Sequence, residues 1–259
     1  MQLHVALAQM DIHLGEPSAN LTTVRQLAAT AAAQGADLLV LPELWSTGYD
    51  LTRAAELADA PGSGIYTEIA NLARTRQIAI AGSTLARRDG RPTNTATVYG
   101  ADGTLLASYD KLHLFGLMSE DHYLAPGNNR TLFDAPWGPC ALAICYDLRF
   151  PELFRTYALQ GAGVIIVPAE WPHPRLEHWR TLVRARAIEN QCFVIAVNRV
   201  GQDRKNTFCG HTLVVDPWGE ILVEGGEEPE LLTATLDLSL VETVRSRMGV
   251  LRDRRADLY

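Results

Sequence analysis

The chain has 259 residues, of which 47% are hydrophobic and 20% charged, so it can bury a large core and is not a disordered or fibrous protein. It carries 23 basic and 30 acidic residues, and its formal net charge of −7 argues against a nucleic-acid-binding protein. No apolar run approaches the roughly 20 residues of a membrane helix, and the N-terminus shows neither a basic region nor a cleavage site. We therefore expect a soluble, cytoplasmic protein without nucleic-acid or membrane partners.

The first third of the chain predicts alternating strands and helices. Residues 3–10 and 37–43 are apolar at nearly every position, which is typical of buried strands. Between them, apolar residues recur at helical spacing over residues 17–35, with a proline near the start and a glycine at the end. A weaker helix over 66–76 and a strand over 78–83 follow. This βαβαβ order predicts a layered α/β fold.

The rest of the chain predicts hairpins and a second alternating series. Strands at 95–99 and 105–115 flank a glycine-containing turn, and a strand over 141–145 ends at a cysteine. A helix, a buried strand and a long amphipathic helix are then predicted, at residues 151–160, 163–168 and 178–191. Strands at 192–198 and 211–216 come next. No linker divides the chain, so we predict a single domain over 1–259, with residues 239–259 as an exposed C-terminal arm or partner contact.

One of the four cysteines lies where a nucleophile is expected. Cys145 ends a predicted strand, and a helix begins shortly afterwards at Pro151, so the thiol would lie beside the free backbone N–H groups of the turn. The spacing of the cysteines contains no CxxC pair, and we predict neither a disulfide framework nor a metal site. We interpret Cys140, Cys192 and Cys209 as small buried hydrophobic residues, which is the usual position of a free cysteine.

Two further ionisable residues end predicted buried strands. Glu43 ends the segment LLVLPE, where its carboxylate needs a compensating partner, and Lys111 lies in SYDKLHLF on the same predicted face as His113. A lysine on a strand is most often a solvated residue, and a glutamate near it an ordinary ion pair. Together with Cys145, however, the two predict one rim carrying a base, a cation and a thiol. Such a set supports thiol acylation of a carbonyl compound.

The segments LPELW, YDKLHLF and CYDLRFPELFR, in this order, resemble the three signature segments of the nitrilase superfamily of carbon-nitrogen hydrolases. The resemblance implies a four-layer αββα sandwich, commonly as a homodimer. No Walker loop or GxGxxG motif follows a predicted strand, so we expect no cofactor. The resemblance also implies that Glu43 is the general base, Lys111 the oxyanion stabiliser and Cys145 the nucleophile. By the same resemblance Tyr146 supplies a backbone N–H to the oxyanion, and Glu120 is the second glutamate that assists positioning.

Several residues around this predicted site are candidates for substrate binding. Glu170 and Trp171 follow the strand GVIIVPA and are expected to overlook the same pocket, although Trp171 is also compatible with ordinary packing. Arg175 and Arg199 are candidates for binding a substrate carboxylate at the pocket mouth. For Arg149 we favour a structural role, paired with Glu152.

Within the superfamily, LPELWSTGY, KLHLFGLMSED and CYDLRFPELF look most like the ω-amidase branch, which acts on 2-oxoglutaramate and related ω-monoamides. The resemblance therefore implies a thiol amidase that converts small linear carboxamides to the acid and ammonia. Two alternatives remain open at this point. An N-carbamoyl amine or amino-acid amidase has the same triad with a different pocket, and a catalytically inactive member could serve as an interaction scaffold.

Overall fold

The computed structural model describes residues 1–258, which form twelve strands and seven α-helices. The strands are β1 (Gln2–Gln9), β2 (Leu38–Val40), β3 (Ala79–Ala86), β4 (Thr93–Tyr99), β5 (Leu105–Asp110), β6 (Leu132–Ala135), β7 (Gly138–Leu142), β8 (Val164–Ala169), β9 (Phe193–Asn198), β10 (Leu213–Val215), β11 (Ile221–Glu224) and β12 (Glu230–Asp237). The helices are α1 (Pro17–Ala33), α2 (Ala54–Leu57), α3 (Ile65–Arg76), α4 (Glu120–Tyr123), α5 (Pro151–Leu159), α6 (Leu176–Asn190) and α7 (Ser239–Arg247).

The strands form two six-stranded sheets. The first has the order β12-β1-β2-β3-β4-β5, and the second has the order β11-β10-β9-β8-β7-β6. In each sheet three consecutive strands are parallel, β1-β2-β3 in the first and β7-β8-β9 in the second, while the outer strands pair antiparallel. The parallel strands are buried on both faces, which explains their continuous apolar runs.

Side chains that alternate along each strand create the layers. In β2, Val40 faces the second sheet and packs in the central core, whereas its neighbour Leu39 faces α1 and α3. Phe154 of α5 and Trp179 of α6 pack on the second sheet from the other side. The order of layers is therefore helix, sheet, sheet, helix, and the predicted αββα sandwich is confirmed.

Three strands end earlier than the sequence analysis predicts. β2 ends at Val40, β5 at Asp110 and β7 at Leu142, so Glu43, Lys111 and Cys145 lie beyond the strands rather than on them. Pro42 has no N–H for a strand ladder, and the positive φ of +43° at Cys145 is incompatible with strand geometry. The three side chains therefore belong to the loops at one edge of the sandwich.

The C-terminal segment differs from the prediction of an exposed arm. Strand β12, which the sequence analysis does not predict although Leu232, Ala234 and Leu236 alternate with polar residues, pairs antiparallel with β1. Helix α7 follows directly, its Val244 is buried, and Arg245 donates hydrogen bonds to the carbonyl oxygens of Ala162 (2.6 Å) and Gln191 (3.1 Å). Residues 239–247 therefore pack on their own chain, where Val244 is buried and Arg245 supplies hydrogen-bond donors to two buried carbonyl oxygens. None of the helices within residues 1–258 combines the length and apolar character of a membrane span.

Candidate active site

Cys145 occupies a constrained turn between β7 and α5. It begins a 3-10 helix over Cys145–Arg149, its φ is +43°, and only 5% of the residue is exposed. A positive φ is costly for a residue with a side chain, so the surrounding structure must hold it. The N–H groups of Cys145 and Tyr146 lie in the first helical turn, where they have no intrahelical acceptor. The turn therefore presents a thiol next to two available N–H donors.

Glu43 is fully buried, and four donors hold its carboxylate. Oε1 accepts hydrogen bonds from Lys111 Nζ (2.8 Å), Asn94 Nδ2 (2.8 Å) and Tyr49 OH (2.9 Å). Oε2 accepts one from the backbone N–H of Glu170 at 2.8 Å. These donors compensate the burial of the negative charge and fix the direction of the carboxylate.

Lys111 is fully buried between two carboxylates. Its Nζ lies 2.8 Å from Glu43 Oε1 and 2.8 Å from each oxygen of Glu120, which begins α4. Burial by itself lowers the pKa of Lys111, but the charges of Glu120 and Glu43 outweigh this effect and raise it above the usual value. Burial raises the pKa of Glu120, and Lys111 opposes that shift in part. Lys111 is therefore a permanent cation at the centre of the site.

The thiol of Cys145 faces this pair and is neutral at rest. Burial raises the pKa of Cys145 well above its ordinary value, the charge of Glu43 and a hydrogen bond with it raise it further, and Lys111 opposes both effects. Removal of the thiol proton therefore requires a base, and Glu43 is the carboxylate whose charge acts most strongly on the thiol. The structure brings together Glu43, Lys111, Glu120 and Cys145, as the sequence analysis expects.

A second buried ion pair lies behind Glu43. Arg199 is fully buried, its NH1 lies 3.0 Å from Glu170 Oε2, and its NH2 lies 2.8 Å from Asp11 Oδ1. Burial raises the pKa of Glu170 to about 8, and Arg199 opposes this shift. The prediction that Arg199 reaches the pocket mouth is therefore wrong, because two carboxylates hold it inside the protein.

Glu170 also differs from its expected orientation. Its side chain pairs with Arg199, while its backbone N–H holds Glu43. We call the five buried charged residues the inner cluster: Glu43, Lys111, Glu120, Glu170 and Arg199.

Two half-buried arginines lie near Cys145, and we call Arg149 and Arg175 the rim arginines. The guanidinium of Arg149 lies 4.6 Å from the ring centre of Trp171, and its NH2 is 3.3 Å from His178 Nδ1. The guanidinium of Arg175 lies 5.6 Å from the ring centre of Phe115. Burial lowers the pKa of Arg149, as does the neighbouring Arg175, whereas Cys145 raises it. The two cations are therefore close to each other and to the thiol.

The rim arginines are not used in ion pairs. Within residues 1–258 neither of them lies within salt-bridge distance of a carboxylate, so the expected pair of Arg149 with Glu152 is wrong. Trp171 is buried and serves partly in packing, since its ring lies 5.5 Å from that of Trp179. It also forms the surface on which Arg149 rests. The ring of Tyr146 lies 4.7 Å from that of Phe115 and continues this aromatic rim.

Sequence reasoning missed three residues that contact this site. Tyr49 OH lies within 2.9 Å of Glu43 and 2.8 Å of Glu120, and Asn94 donates to Glu43 from β4. Asp147 binds the turn of Cys145. Tyr49 ends the segment LPELWSTGY and Asp147 lies in CYDLRFPELFR, which is a usable signal, but Asn94 is far from these segments in sequence. No group of three His, Cys, Asp or Glu side chains in the part of the chain that the structure describes is arranged to hold a metal ion.

The chain matches the model of one protein family, Carbon-nitrogen hydrolase, over residues 4–246. It belongs to the carbon-nitrogen hydrolase family. The family resemblance of the three sequence segments is thereby confirmed. This carbon-nitrogen hydrolase is 42% identical over 260 residues to a 2-oxoglutaramate amidase of Bacillus subtilis, with 100% of both chains covered. It is 33% identical to the omega-amidase NIT2 of Mus musculus, over 98% of this chain and 96% of the relative.

A solved structure supports the same assignment. A mutant amidase from Nesterenkonia sp. AN1, with acrylamide added at its active-site cysteine, superposes on this carbon-nitrogen hydrolase with a TM-score of 0.89. The two sequences are 30% identical, and the match covers 99% of this chain and 98% of the other. The similarity therefore extends over the whole sandwich, including the loops that carry the inner cluster.

Proposed function

We propose that this protein is a thiol amidase that hydrolyses the ω-amides of small dicarboxylic acids, such as 2-oxoglutaramate, to the acid and ammonia. The observation that carries the proposal is one buried site in which Lys111 Nζ lies 2.8 Å from Glu43 Oε1 and the charges of both residues act on the Cys145 thiol. A nucleophile, a base and a fixed cation in one buried site are the parts that amide acylation needs. The names of the relatives in Bacillus subtilis and Mus musculus support the choice of substrate class.

In the first half-reaction Glu43 accepts the proton of the Cys145 thiol, and Sγ attacks the amide carbon. The carbonyl oxygen becomes an oxyanion, for which Lys111 Nζ and the backbone N–H of Tyr146 are the donors. The carbon–nitrogen bond then breaks, and the proton on Glu43 goes to the leaving nitrogen, which departs as ammonia. A thioester on Cys145 remains.

In the second half-reaction Glu43 accepts a proton from water, and the hydroxide attacks the thioester carbon. The same two donors bind the oxyanion, and the carbon–sulfur bond breaks to release the acid. The proton on Glu43 returns to the thiolate. Glu120 contacts Lys111 rather than the thiol, so we assign it to the positioning of Lys111.

We propose that the rim arginines bind the carboxylate at the far end of the substrate. Arg149 and Arg175 are two neighbouring cations near the thiol that lack a carboxylate partner in the described residues. Arginine binds carboxylates through paired hydrogen bonds, which would fix the amide carbon over Cys145. Trp171 and Phe115 hold the two guanidinium groups in place.

A substrate panel tests the function. Ammonia release from 2-oxoglutaramate and succinamate is compared with release from an uncharged amide of equal length and from an N-carbamoyl amino acid. We expect the highest kcat/KM for the two ω-amides. Equal rates with and without the terminal carboxylate would contradict the role of the rim arginines.

The same panel decides between the alternatives. Preference for the N-carbamoyl compound would identify a carbamoyl amidase, which also needs a carboxylate-binding pair. Absence of turnover with every compound would favour an inactive scaffold. The complete set of Glu43, Lys111 and Cys145 in one site supports an active enzyme.

We further propose that the enzyme is a homodimer in the cytoplasm. The family resemblance supports the dimer, and four free, buried thiols are consistent with a reducing compartment. Light scattering at micromolar concentration tests the assembly, with twice the monomer mass as the expected result. A monomer mass would contradict it.

A further inference from the structure

Asp147 is a fully buried carboxylate with four donors from two directions. Oδ2 accepts hydrogen bonds from the backbone N–H of Ile144 (2.9 Å) and the hydroxyl of Tyr109 (2.7 Å). Oδ1 accepts two hydrogen bonds from His113, one from its backbone N–H (3.0 Å) and one from its Nδ1 (2.7 Å). The reaction described above uses none of these contacts.

These contacts join the two halves of the catalytic site. Tyr109 and His113 lie two residues before and two residues after Lys111, at the end of β5 in the first sheet. Ile144 and Asp147 enclose Cys145, at the end of β7 in the second sheet. One carboxylate therefore ties the segment that carries the lysine to the turn that carries the nucleophile.

We propose that Asp147, together with Tyr109 and His113, is a positioning group that sets Lys111 Nζ relative to Cys145 and the Tyr146 N–H. This inference rests on the proposed roles of Lys111 and Cys145. Both oxyanion donors must converge on one atom, and a displacement of about 1 Å can cost about a hundredfold in rate. The bond from Ile144 also holds the turn in which Cys145 keeps its positive φ.

The surroundings make this group rigid. The imidazole of His113 stacks on Phe150, with ring centres 3.6 Å apart and an angle of 8° between the rings. Burial and the charge of Asp147 raise the pKa of Tyr109, so its hydroxyl remains a neutral donor at every working pH. Hydrogen bonds to an ionised acceptor are the stronger kind, and here all four reach the same carboxylate.

The test removes single donors without opening a cavity. Tyr109→Phe removes the hydroxyl bond, and His113→Phe keeps a ring on Phe150 while removing the Nδ1 donor. We expect each to lower kcat about tenfold, with KM within about twofold of wild type, because the substrate-binding residues are untouched. His113→Asn, which keeps an N–H donor near the same place, should recover part of the loss.

Tyr157→Phe is the matched control. Its hydroxyl is also buried and donates to the carbonyl oxygen of Leu142 (2.8 Å), on the strand that leads to Cys145, but within residues 1–258 it makes no hydrogen bond to Asp147 or to residues 109–113. We expect this variant to lose thermal stability as Tyr109→Phe does and to keep kcat within about twofold of wild type. Equal losses of kcat in the two tyrosine variants would overturn the proposal, since both would then act through general stability.

A second readout does not depend on the amide substrate. The rate at which iodoacetamide alkylates Cys145 at neutral pH reports the thiolate, which Lys111 stabilises. We expect Tyr109→Phe and His113→Phe to slow alkylation about threefold or more, and the double variant to lose less than the product of the single losses. Unchanged alkylation in both variants would overturn the positioning role. Lack of ammonia release by the wild type would instead contradict the proposed function and leave this comparison valid.

Asp147→Asn is the strongest variant, because it places an amide N–H donor against two other donors. We expect a loss of kcat of about a hundredfold. If that protein does not fold, the tyrosine and histidine variants decide the question alone. A folded Asp147→Asn with wild-type kcat would overturn the proposal.

Discussion

The inner cluster and the rim arginines differ in whether their charges have partners of opposite sign in the chain. In the inner cluster Lys111 lies between Glu43 and Glu120, and Arg199 lies between Glu170 and Asp11, so each buried cation has carboxyl partners in the chain. At the rim, Arg149 and Arg175 rest on aromatic rings and lack a carboxylate partner within residues 1–258. The paired charges are fixed for chemistry, whereas the unpaired cations are available for an anionic ligand.

The difference follows from burial. A fully buried ion without a partner costs several kcal/mol, so the interior tolerates the lysine only between its carboxylates. The rim arginines keep contact with solvent and with ring faces, which stabilise a cation without neutralising it. A substrate carboxylate would pair with the rim arginines in the way that the carboxyl group of Glu170 pairs with Arg199.

The largest effect is expected at the centre of the inner cluster. Lys111→Met leaves Glu43 and Glu120 buried without their cation and removes one oxyanion donor. We expect kcat to fall about a hundred- to a thousandfold or more. The free energy of unfolding should fall by about 3–5 kcal/mol. Steady-state kinetics and chemical denaturation measure the two quantities.

Cys145→Ala is the companion variant because it removes the chemistry while all ion pairs stay. We expect no turnover, an unchanged Lys111 environment and near wild-type stability. Mass spectrometry of the wild type with a slow amide should show the acyl adduct on Cys145. Significant turnover by the alanine variant would exclude the acyl-enzyme mechanism.

At the rim the effect should be smaller and selective. Arg175→Met and Arg149→Met each remove a cation without leaving a buried charge unpaired, so stability should change little. We expect kcat/KM for an ω-amide to fall about ten- to a hundredfold, the value of a hydrogen bond to a charged group, and to change less for an uncharged amide. Equal losses for both substrates would assign these arginines to structure.

The sequence predicts the components of the site better than their roles. The three apolar strand ends and the signature segments lead to Glu43, Lys111 and Cys145. The partner of a long side chain depends on the fold, so the sequence predicts wrongly that Arg199 reaches the pocket mouth. The predicted pairing of Arg149 with Glu152, a neighbour in sequence, is wrong for the same reason.

The secondary structure likewise contains elements that the sequence predicts and elements that it does not. Strands β1, β2 and β8 and helices α1 and α3 follow from apolar runs and periodic spacing. Strand β12 alternates over Leu232, Ala234 and Leu236, but its partner β1 lies more than 220 residues away, so its place in the sheet follows only from the fold. Asn94 carries no local signal either, because its contact with Glu43 exists only once β4 lies beside the end of β2.

A moderate effect is expected for Tyr49, which touches two carboxylates of the inner cluster. Burial raises the pKa of Tyr49 well above its usual value, and Glu120 and Glu43 raise it further, so the hydroxyl is a neutral donor. Tyr49→Phe removes this donor without adding or removing charge. We expect kcat to fall about three- to tenfold, in line with the loss of one hydrogen bond. A loss as large as that of Lys111→Met would show that the hydroxyl takes part in the chemistry.

The last effect is on stability rather than on turnover, and it concerns the pH dependence of stability. The folded protein holds a proton on Glu170 up to a pKa of about 8, whereas an unfolded glutamate releases it near about 4.3. Between these values the folded state binds more protons than the unfolded state, so the contribution of Glu170 to stability falls as pH rises. Glu170→Gln cannot lose a proton and should remove this part of the slope. We therefore expect the melting temperature of the wild type to decline from pH 5 to pH 9 more steeply than that of the variant. Parallel curves would show that Arg199 keeps Glu170 ionised. The inner cluster would then carry one more negative charge than the raised pKa of Glu170 indicates.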